Sequence, residues 1–408
     1  MGILPLFVLI LSLGCKSQPG TQESEFGDIR DIFAGAAGVF ILKTDNTLWG
    51  AGYNRRGQFG QGDAGLPLNP HASQITDDTG SPFSDVKSVA AGESHTVILK
   101  EDGTLWGAGD SSQGELGQGG GRLRVFTRLM ALGYPLTGIN YVAAGNNCTF
   151  FINDDGILWA SGYNYYGELG LGNRDNQSSF RTVENAGQNV KAVASGLRHT
   201  VLLKEDGTIW ASGYNFHGQL GFGDTEDRNS FTQVSAAGSG ISAVAAGNYH
   251  TVILKSDGTV WAAGSNYWGQ LGSSGGGDQK GFSQLSDEKG SISGIRDIAA
   301  RGNLTVLIKE DGALLLAGNF TDTEGRDQPN YGAGEDNGQE KAEPGFIPLL
   351  PEDGQAAEFK GAKKVVLGYN SIYLIDLDNR LWAAGSNRYG QLGLDFDIEV
   401  LSALKLIN

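Results

Sequence analysis

The chain has 408 residues, 64 of them glycine, and carries a formal net charge of −16 with an isoelectric point near 4.7. Such acidity disfavours binding to a phosphate backbone, which needs clustered Lys and Arg, so we expect no nucleic-acid partner. It also disfavours docking on an anionic lipid surface without an anchor. The apolar periodicity persists along the chain, so the many glycines indicate a turn-dense β protein rather than disorder.

The amino-terminal residues differ from the rest of the chain. Ile3–Leu13 is almost wholly apolar, too short to span a bilayer but long enough for the core of a signal peptide. It ends in the sequence SLGC, closing on Cys15, which resembles a bacterial lipoprotein signal whose Cys becomes lipidated. We therefore predict a signal peptide over residues 1–15, lipidation at Cys15 and a flexible tether over residues 16–27. An ordinary cleaved signal and a buried strand are the alternatives.

One pattern recurs seven times over residues 28–408. Close copies begin near residues 88, 141, 192 and 243, and looser copies near 31, 297 and 364. Leu315 marks one copy and a tryptophan marks each of the others, 51 to 67 residues apart, a period typical of repeat architectures. We expect these tryptophans to pack between neighbouring units. They are Trp49, Trp106, Trp159, Trp210, Trp261 and Trp382.

Each copy predicts four short strands. In the second copy Val86–Gly92 is the first strand and Thr96–Lys100 the second, and a turn with the sequence EDG leads into a third strand at the tryptophan. A loop of the type N-x-x-G-Q-L-G then precedes a weaker fourth strand. Helical spacing is nowhere sustained, so the chain is all-β. The predicted fourth strands are Phe126–Leu132, Phe180–Val183, Phe231–Val234 and Phe282–Leu285.

One such sheet cannot bury both of its faces, so the copies must stack. Seven four-stranded antiparallel units fit a closed seven-bladed β-propeller over residues 28–408. The pattern alone leaves open whether the ring closes with a strand borrowed from the other terminus. Two longer connections, Asp63–Pro82 and Asn319–Glu343, have loop composition and are predicted to rim one face of the ring.

The repeat consensus carries a family resemblance. The pattern A-A-G-x-x-H-T-x-x-L-K-x-D-G-T-L-W, followed by N-x-x-G-Q-L-G, is similar to the repeat of the regulator of chromosome condensation family, whose members form seven-bladed propellers. The founding members act as guanine nucleotide exchange factors and contact chromatin. Secreted bacterial propellers that inhibit β-lactamases are a second similar class, in which loop aromatics cover an enzyme. The sixth copy departs most from the pattern, with Arg301 in a glycine position.

The predicted binding face follows from the order of the strands. In an up-and-down sheet, the loops between strands one and two and between strands three and four lie on the same side, and the acidic hairpins lie on the other. On the first side the variable pair of N-x-x-G is aromatic in copies three, four and five, which favours a protein-binding surface, with packing over adjacent blades as the alternative. The predicted binding residues are Tyr165, Tyr166, Phe216, His217, Tyr249, Tyr267, Trp268, Arg55, Arg56 and Tyr389.

No catalytic motif emerges from the sequence. His95, His199 and His250 share one repeat position, which predicts a structural hydrogen bond in each blade rather than three catalytic bases. Cys148 occupies the same position in the third copy and is expected to be a small buried residue without a disulfide. There is no Gly-Lys dipeptide and no metal-ligand spacing, so we expect no cofactor and no metal.

These observations predict a non-enzymatic interaction scaffold. We expect an exported monomer, anchored through Cys15 to the outer membrane or cell surface of a bacterial envelope, that binds an unidentified protein through one loop face. A periplasmic or secreted location is the alternative. The alternative functions are carbohydrate binding on Tyr165, Tyr267 and Trp268, enzyme inhibition, and an exchange-factor activity of the kind the family resemblance implies. An active site in the central channel would require clustered carboxylates and a histidine there.

Overall fold

The structure is a computed structural model of residues 29–36, 38–62, 68–131, 133–273, 277–287, 290–318, 345–351, 359, 361–387, 389–392 and 400–407. The predicted signal peptide, Cys15 and the tether lie outside these described residues, as does the long connection Asn319–Glu343. Within the described part of the chain, no helix is long and apolar enough to cross a membrane.

Seven four-stranded antiparallel sheets form the ring, which confirms the predicted seven-bladed propeller. Blade 1 has the strands Ile29–Gly35, Gly38–Lys43, Leu48–Tyr53 and Leu68–Gln74, and blade 2 has Val86–Ala91, His95–Lys100, Leu105–Asp110 and Arg122–Arg128. Blade 3 has Ile139–Ala144, Cys148–Asn153, Leu158–Gly162 and Gln177–Thr182. Blade 4 has Val190–Ser195, His199–Lys204, Ile209–Gly213 and Arg228–Gln233. Blade 5 has Ile241–Ala246, His250–Lys255, Val260–Gly264 and Gln279–Gln284. Blade 6 has Ile295–Arg301, Leu304–Lys309, Leu314–Gly318 and Ile347–Pro348. Blade 7 has Ala362–Leu367, Ser371–Asp376, Leu381–Ser386 and Val400–Leu406.

Small elements join some of the blades. One-turn 3-10 helices at Glu184–Ala186 and Ser235–Ala237 precede blades 4 and 5. Two-residue hairpins, Met130–Ala131 with Tyr134–Pro135 and Ser286–Asp287 with Gly290–Ser291, precede blades 3 and 6. The first strands of successive blades lie side by side around the axis, so the first strand is innermost and the fourth outermost.

The repeated hairpin is held by its own side chains. In blade 2, Oδ1 of Asp102 accepts hydrogen bonds from both the backbone nitrogen and the hydroxyl of Thr104, and Nε1 of Trp106 donates to that hydroxyl. These bonds to the carboxylate lower the pKa of Asp102. In the corresponding position of blade 7, Asn379 adopts a φ of 61° without a glycine. Turn chemistry therefore accounts for the aspartate of this hairpin.

The apolar core lies between blades. The cluster shared by blades 1 and 2 includes Phe40, Phe59 and Phe126, and Trp106 packs against it. The marking residue of every blade packs in this way against the cluster shared with the preceding blade: Trp49, Trp106, Trp159, Trp210, Trp261, Leu315 and Trp382. The last glycine of the turn makes the close approach possible: in blade 1, where the turn ends in Gln58-Phe59-Gly60, a Cβ atom at Gly60 would collide with the ring of Phe126.

The predictions for the outer strands were partly wrong. The fourth strands of blades 2 to 5 begin three to four residues before the phenylalanine that we placed first, because that ring lies in the middle of the strand, buried in blades 2 to 4 and partly buried in blade 5. The predicted loop Asp63–Pro82 contains the fourth strand of blade 1, Leu68–Gln74. Pro70 argues against a strand in the sequence because proline has no N–H to donate, but an outermost strand has one unpaired edge and therefore tolerates proline.

Among the described strands, none is exchanged between the termini where the ring closes. Blade 7 is built from four C-terminal strands and blade 1 from four N-terminal strands. The two blades meet where the backbone nitrogen of Tyr369 donates to the carbonyl of Ala36 and where Lys364 forms an ion pair with Asp31. Side-to-side contacts between complete blades therefore join the termini.

Candidate binding face

Rigid turns present the variable pair of N-x-x-G. In blade 4, Oδ1 of Asn215 accepts the backbone N–H of Leu220 at 2.9 Å, and Oε1 of Gln219 accepts the N–H of His217 at 3.1 Å. Blades 1, 3, 5 and 7 repeat the asparagine bond, also at 2.9 Å. The consensus N-x-x-G-Q-L-G therefore encodes a turn with two internal braces, which fixes the two variable side chains on its tip.

In blades 3, 4 and 5 the first residue of the pair points outward. Tyr165, Phe216 and Tyr267 have 60%, 63% and 38% of their surface exposed. Each ring stands nearly perpendicular to the ring that follows it, with centroids 5.0 to 5.1 Å apart. The second residues, Tyr166, His217 and Trp268, are half-buried. One position thus faces solvent while the next supports it, on three consecutive blades.

The supporting rings link the blades to one another. Tyr166 of blade 3 contacts Tyr214 of blade 4 at 4.9 Å between centroids, and Tyr249 of blade 5 contacts both Tyr214 and His217. Nδ1 of His217 lies 2.7 Å from a carboxylate oxygen of Asp278 in the next loop. We call Tyr165, Tyr166, Tyr214, Phe216, His217, Tyr249, Tyr267 and Trp268 the aromatic surface.

Sequence reasoning missed two members of this arrangement. Tyr214 precedes the asparagine of its turn, and tyrosine at that position also occurs in blades 1 and 3, so a signal was present. Arg198 lies over the ring of Tyr166 at 4.8 Å and donates a 3.0 Å hydrogen bond from Nη1 to its hydroxyl. Arg198 and Tyr166 are 32 residues apart in the sequence, and only the packing of blade 4 against blade 3 in the propeller brings them together.

The remaining predicted residues lie elsewhere on the face. Arg55 and Arg56 are exposed on the turn of blade 1, and Arg56 forms a 3.2 Å ion pair with Asp110 of blade 2. Tyr389 of blade 7 contacts Tyr53 of blade 1 at 5.1 Å between centroids. Blade 2, with Ser112 and Gln113 in the variable pair, separates these residues from the aromatic surface. The predicted set therefore divides into two groups.

Two buried carboxyl groups lie beneath the face. Glu115 and Glu168 replace the glutamine of the turn in blades 2 and 3, and each still accepts a backbone N–H at 2.9 and 2.8 Å. Burial raises the pKa of Glu115 to about 7 and that of Glu168 to about 8. Because Glu168 bonds to the backbone of Tyr166, a titrating group lies directly under the aromatic surface.

The three repeated histidines join neighbouring blades. Nε2 of His95 lies 3.0 Å from Oγ1 of Thr149 in the next blade, and His199 and His250 bond in the same way to Thr251 and Thr305. All three are buried, and burial lowers their pKa values to between about 3 and about 4. Among the described residues, no group of three or more His, Cys, Asp or Glu is placed to hold a metal ion.

Arg301, which replaces the glycine of the repeat in blade 6, lies at one end of the central channel, which we call the axial mouth. Arg301 crosses from blade 6 to blade 2, where Nη2 donates to the carbonyl of Gly92 at 3.2 Å. Burial lowers the pKa of the Arg301 guanidinium to about 10, and the nearby Tyr369 and Glu93 partly oppose this shift. Nδ2 of Asn248 in blade 5 also bonds to the hydroxyl of Tyr369 in blade 7 at 3.0 Å. Polar groups from blades that are not neighbours therefore meet in the centre of the ring.

Models of the Regulator of chromosome condensation (RCC1) repeat match residues 86–115, 155–203, 190–219, 206–254 and 241–270. The Ultraviolet-B receptor UVR8 of Arabidopsis thaliana is 33% identical over 46% of this chain and 43% of the receptor. The E3 ubiquitin-protein ligase HERC2 of Homo sapiens is 30% identical over 58% of this chain and 5% of the ligase. The matches thus span less than half of either relative.

Solved propellers share the fold at low sequence identity. Yeast RCC1 (Prp20), in its structure with Kap60, superposes with a TM-score of 0.71 at 19% identity and covers 92% of this chain and 85% of its own. Human WBSCR16 gives 0.67 at 18% identity and covers 85% of this chain and 88% of its own. The chain thus carries RCC1-type repeats over residues 86–115 and 155–270 and folds as a seven-bladed propeller.

Proposed function

We propose that this protein is a non-catalytic scaffold that binds a protein partner through the aromatic surface. The observation that carries the proposal is the repeated pair of one exposed and one supporting ring on three consecutive blades. The turns are braced internally, so little conformational entropy is lost when these rings are covered. Large aromatic side chains in such positions are typical of binding hot spots.

The comparisons support binding rather than chemistry in this part of the chain. Prp20p of Saccharomyces cerevisiae, a neighbour in fold, is described by its binding to Gsp1p and histones. HERC2 is a ligase, but the match covers only 5% of it and corresponds to repeats. The identity of the partner does not transfer at these levels of identity. An exchange-factor activity is the least favoured alternative for this acidic chain.

The proposal includes an exported, lipid-anchored location, with residues 1–15 as signal, Cys15 as the lipidated residue, 16–27 as tether and 28–408 as propeller. Metabolic labelling with an alkyne fatty acid, followed by fractionation, tests it against Cys15→Ser. Label and membrane association should both be lost in the variant. Unlabelled wild-type protein would contradict the anchor without affecting the binding face.

The binding face is tested with changes taken from the protein's own repeats. Blade 2 carries Ser112 where Tyr165, Phe216 and Tyr267 stand, so the triple serine variant keeps a turn that the fold already uses. The control variant changes Glu205 and Glu310 on the opposite hairpins to serine, as found at Ser256 of blade 5. Envelope extract is passed over each immobilised protein, and the captured partner is then purified for titration.

We expect the control variant to bind the purified partner as the wild type does. The triple variant should bind at least roughly 100-fold more weakly, because one truncated hot-spot ring costs about 2 kcal/mol or more and the losses of neighbouring rings add only in part. Equal binding by the triple variant would move the interface away from the aromatic surface. Displacement of the partner by soluble glycans would favour the alternative in which Tyr165, Tyr267 and Trp268 stack on carbohydrate.

A further inference from the structure

Arg198 places a positive charge among the rings of the aromatic surface. Its backbone carbonyl accepts the N–H of Tyr214 at 2.9 Å, which fixes the loop after the first strand of blade 4 beside the turn of the same blade. Cζ of its guanidinium lies 4.8 Å from the ring centroid of Tyr166 in blade 3, and Nη1 donates a 3.0 Å hydrogen bond to the hydroxyl of that ring. The backbone and the side chain of Arg198 are therefore both held in place.

One edge of this guanidinium, formed by Nε and Nη2, has no partner among the described residues. Only Nη1 makes a hydrogen bond there, and Arg198 takes part in no ion pair with any residue that the structure describes. Nε and Nη2 both reach solvent, and the side chain as a whole is half-buried. Parallel N–H groups on one edge of a guanidinium fit the two oxygens of a single carboxylate.

The buried carboxyl group of Glu168 does not neutralise Arg198. Glu168 accepts the backbone N–H of Tyr166 at 2.8 Å and is almost completely buried. Burial raises its pKa to about 8, although its backbone hydrogen bonds and the charge of Arg198 act in the opposite direction. Most of this carboxyl group is therefore protonated at neutral pH, and the positive charge of Arg198 remains unpaired.

Two aspartates close to the aromatic surface have other partners. Asp227 of blade 4 forms an ion pair with Arg174 at 3.5 Å, and Asp278 of blade 5 lies 2.7 Å from Nδ1 of His217. Neither of them pairs with Arg198. A carboxylate that another molecule brings to this arginine therefore displaces no internal ion pair.

We propose that Arg198 binds the carboxylate of an Asp or Glu side chain in the protein partner. The rings around it cover the apolar residues that flank this acidic side chain, and the exclusion of water strengthens the charge-assisted hydrogen bonds. One edge fits one carboxylate, and a net charge of −16 repels ligands with many negative charges, so a single acidic residue fits the site better than a nucleic acid does. This inference rests on the proposed function, since it names the chemistry that the partner presents to the aromatic surface.

The test begins with a phage-displayed library of random peptides that is panned against the immobilised full chain. Phage that bind the triple serine variant of the aromatic surface are removed first, so the retained peptides depend on that surface. A retained peptide is synthesised with a fluorescein label, together with a twin in which Gln or Asn replaces its acidic residue. Fluorescence anisotropy then gives the Kd of both peptides for each form of the protein.

Two matched variants of blade 4 each lose one positive charge. Arg198→Asn introduces the residue that blade 3 carries at that position, Asn147, and Lys191→Asn introduces the residue that blade 3 carries as Asn140. Lys191 is exposed at the hairpin end of the first strand of blade 4, on the opposite side of the ring from the aromatic surface. The second variant is therefore the control.

We expect the retained peptides to share an acidic residue with an apolar neighbour. The amide twin should bind the wild type about tenfold more weakly than the acidic peptide, because it loses the charge-assisted hydrogen bonds to Arg198. Arg198→Asn should bind the two peptides equally and about as weakly as the wild type binds the amide twin. Lys191→Asn should stay within about twofold of the wild type for both peptides.

Retained peptides without a shared acidic residue would overturn the inference and leave the aromatic surface as the binding face. An amide twin that loses as much affinity on Arg198→Asn as on the wild type would also overturn it, as would tighter binding of a twin with phosphoserine at the acidic position. The comparison of the two peptides on the wild type does not depend on the folding of any variant. A panning that retains no peptide specific to the aromatic surface would contradict the proposed function itself.

Discussion

The thiol of Cys148 and the hydroxyl of Ser195 together replace a histidine. Sγ of Cys148 lies 3.4 Å from Oγ of Ser195, which lies 3.1 Å from Oγ1 of Thr200. In blade 2 the ring of His95 alone spans the corresponding path to Thr149. Ser195 stands where the other close copies have alanine, so two changes in neighbouring blades keep one inter-blade link.

The first prediction concerns this pair. Cys148→His alone should lower the free energy of unfolding by about 1–3 kcal/mol, because the new ring would clash with the hydroxyl of Ser195. That hydroxyl lies beside Gly145, in the place that the ring of His95 takes beside Gly92 in blade 2. Adding Ser195→Ala should restore most of that loss and recreate the histidine link. Urea denaturation of both single variants and the double variant gives the coupling energy. Additive losses would show that the two positions are independent.

A second prediction follows from Glu168. Burial raises its pKa to about 8, so between its ordinary value of 4.5 and pH 8 the folded state holds a proton that the unfolded state has lost. This group therefore makes stability fall as pH rises through that range. Glu168→Gln, the residue found in blades 1, 4, 5 and 7, should stabilise the protein by on the order of 2 kcal/mol more at pH 8 than at pH 5.

Urea denaturation of the wild type and Glu168→Gln between pH 5 and pH 9 provides the measurement. The matched control is Glu205→Ser, which removes an exposed carboxylate from the hairpin face and should leave the shape of the pH profile unchanged. Parallel profiles for the wild type and Glu168→Gln would mean that this carboxyl group ionises normally in the folded protein.

The buried histidines act in the opposite direction. The pKa of His199 is lowered by burial to about 3, so as pH falls below 6.5 the unfolded state gains a proton that the folded state cannot take up, and stability decreases. Transplanting the blade 3 solution, His199→Cys with Ala246→Ser, should make the loss of stability between pH 6.5 and pH 4.5 shallower. Thermal melting across that range checks this, and an unchanged slope would contradict it.

The fourth prediction concerns the axial mouth. Glu93 has a pKa raised by burial and lowered in part by the positive charge of Arg301. Arg301→Gly restores the glycine that the other blades carry and removes that charge, so the pKa of Glu93 should rise further. Carbon-13 NMR titration of the Glu93 carboxyl group measures the shift. A pKa that stays constant would show that the guanidinium does not act on Glu93.

The sequence by itself determined most of what is local to one repeat. Alternating apolar residues set the first three strands, and the Asp of each hairpin with the Gly or Asn that follows it set the turn, because both depend on residues a few positions apart. The count of seven blades follows from the period. The repeated histidine position correctly predicted a structural hydrogen bond. The outer strands were less predictable, because their single buried phenylalanine gives a weak pattern.

Only the tertiary structure decided which residues from different blades meet. Tyr165 and Tyr166 look equivalent in the sequence, yet one faces solvent and the other packs on Tyr214, because the neighbouring turn lies on one side only. Arg301 reaches Gly92 across 209 residues of sequence. Such contacts are fixed by the closure of the ring, which places seven similar units at set angles around one axis, and no periodicity within a single repeat encodes that arrangement.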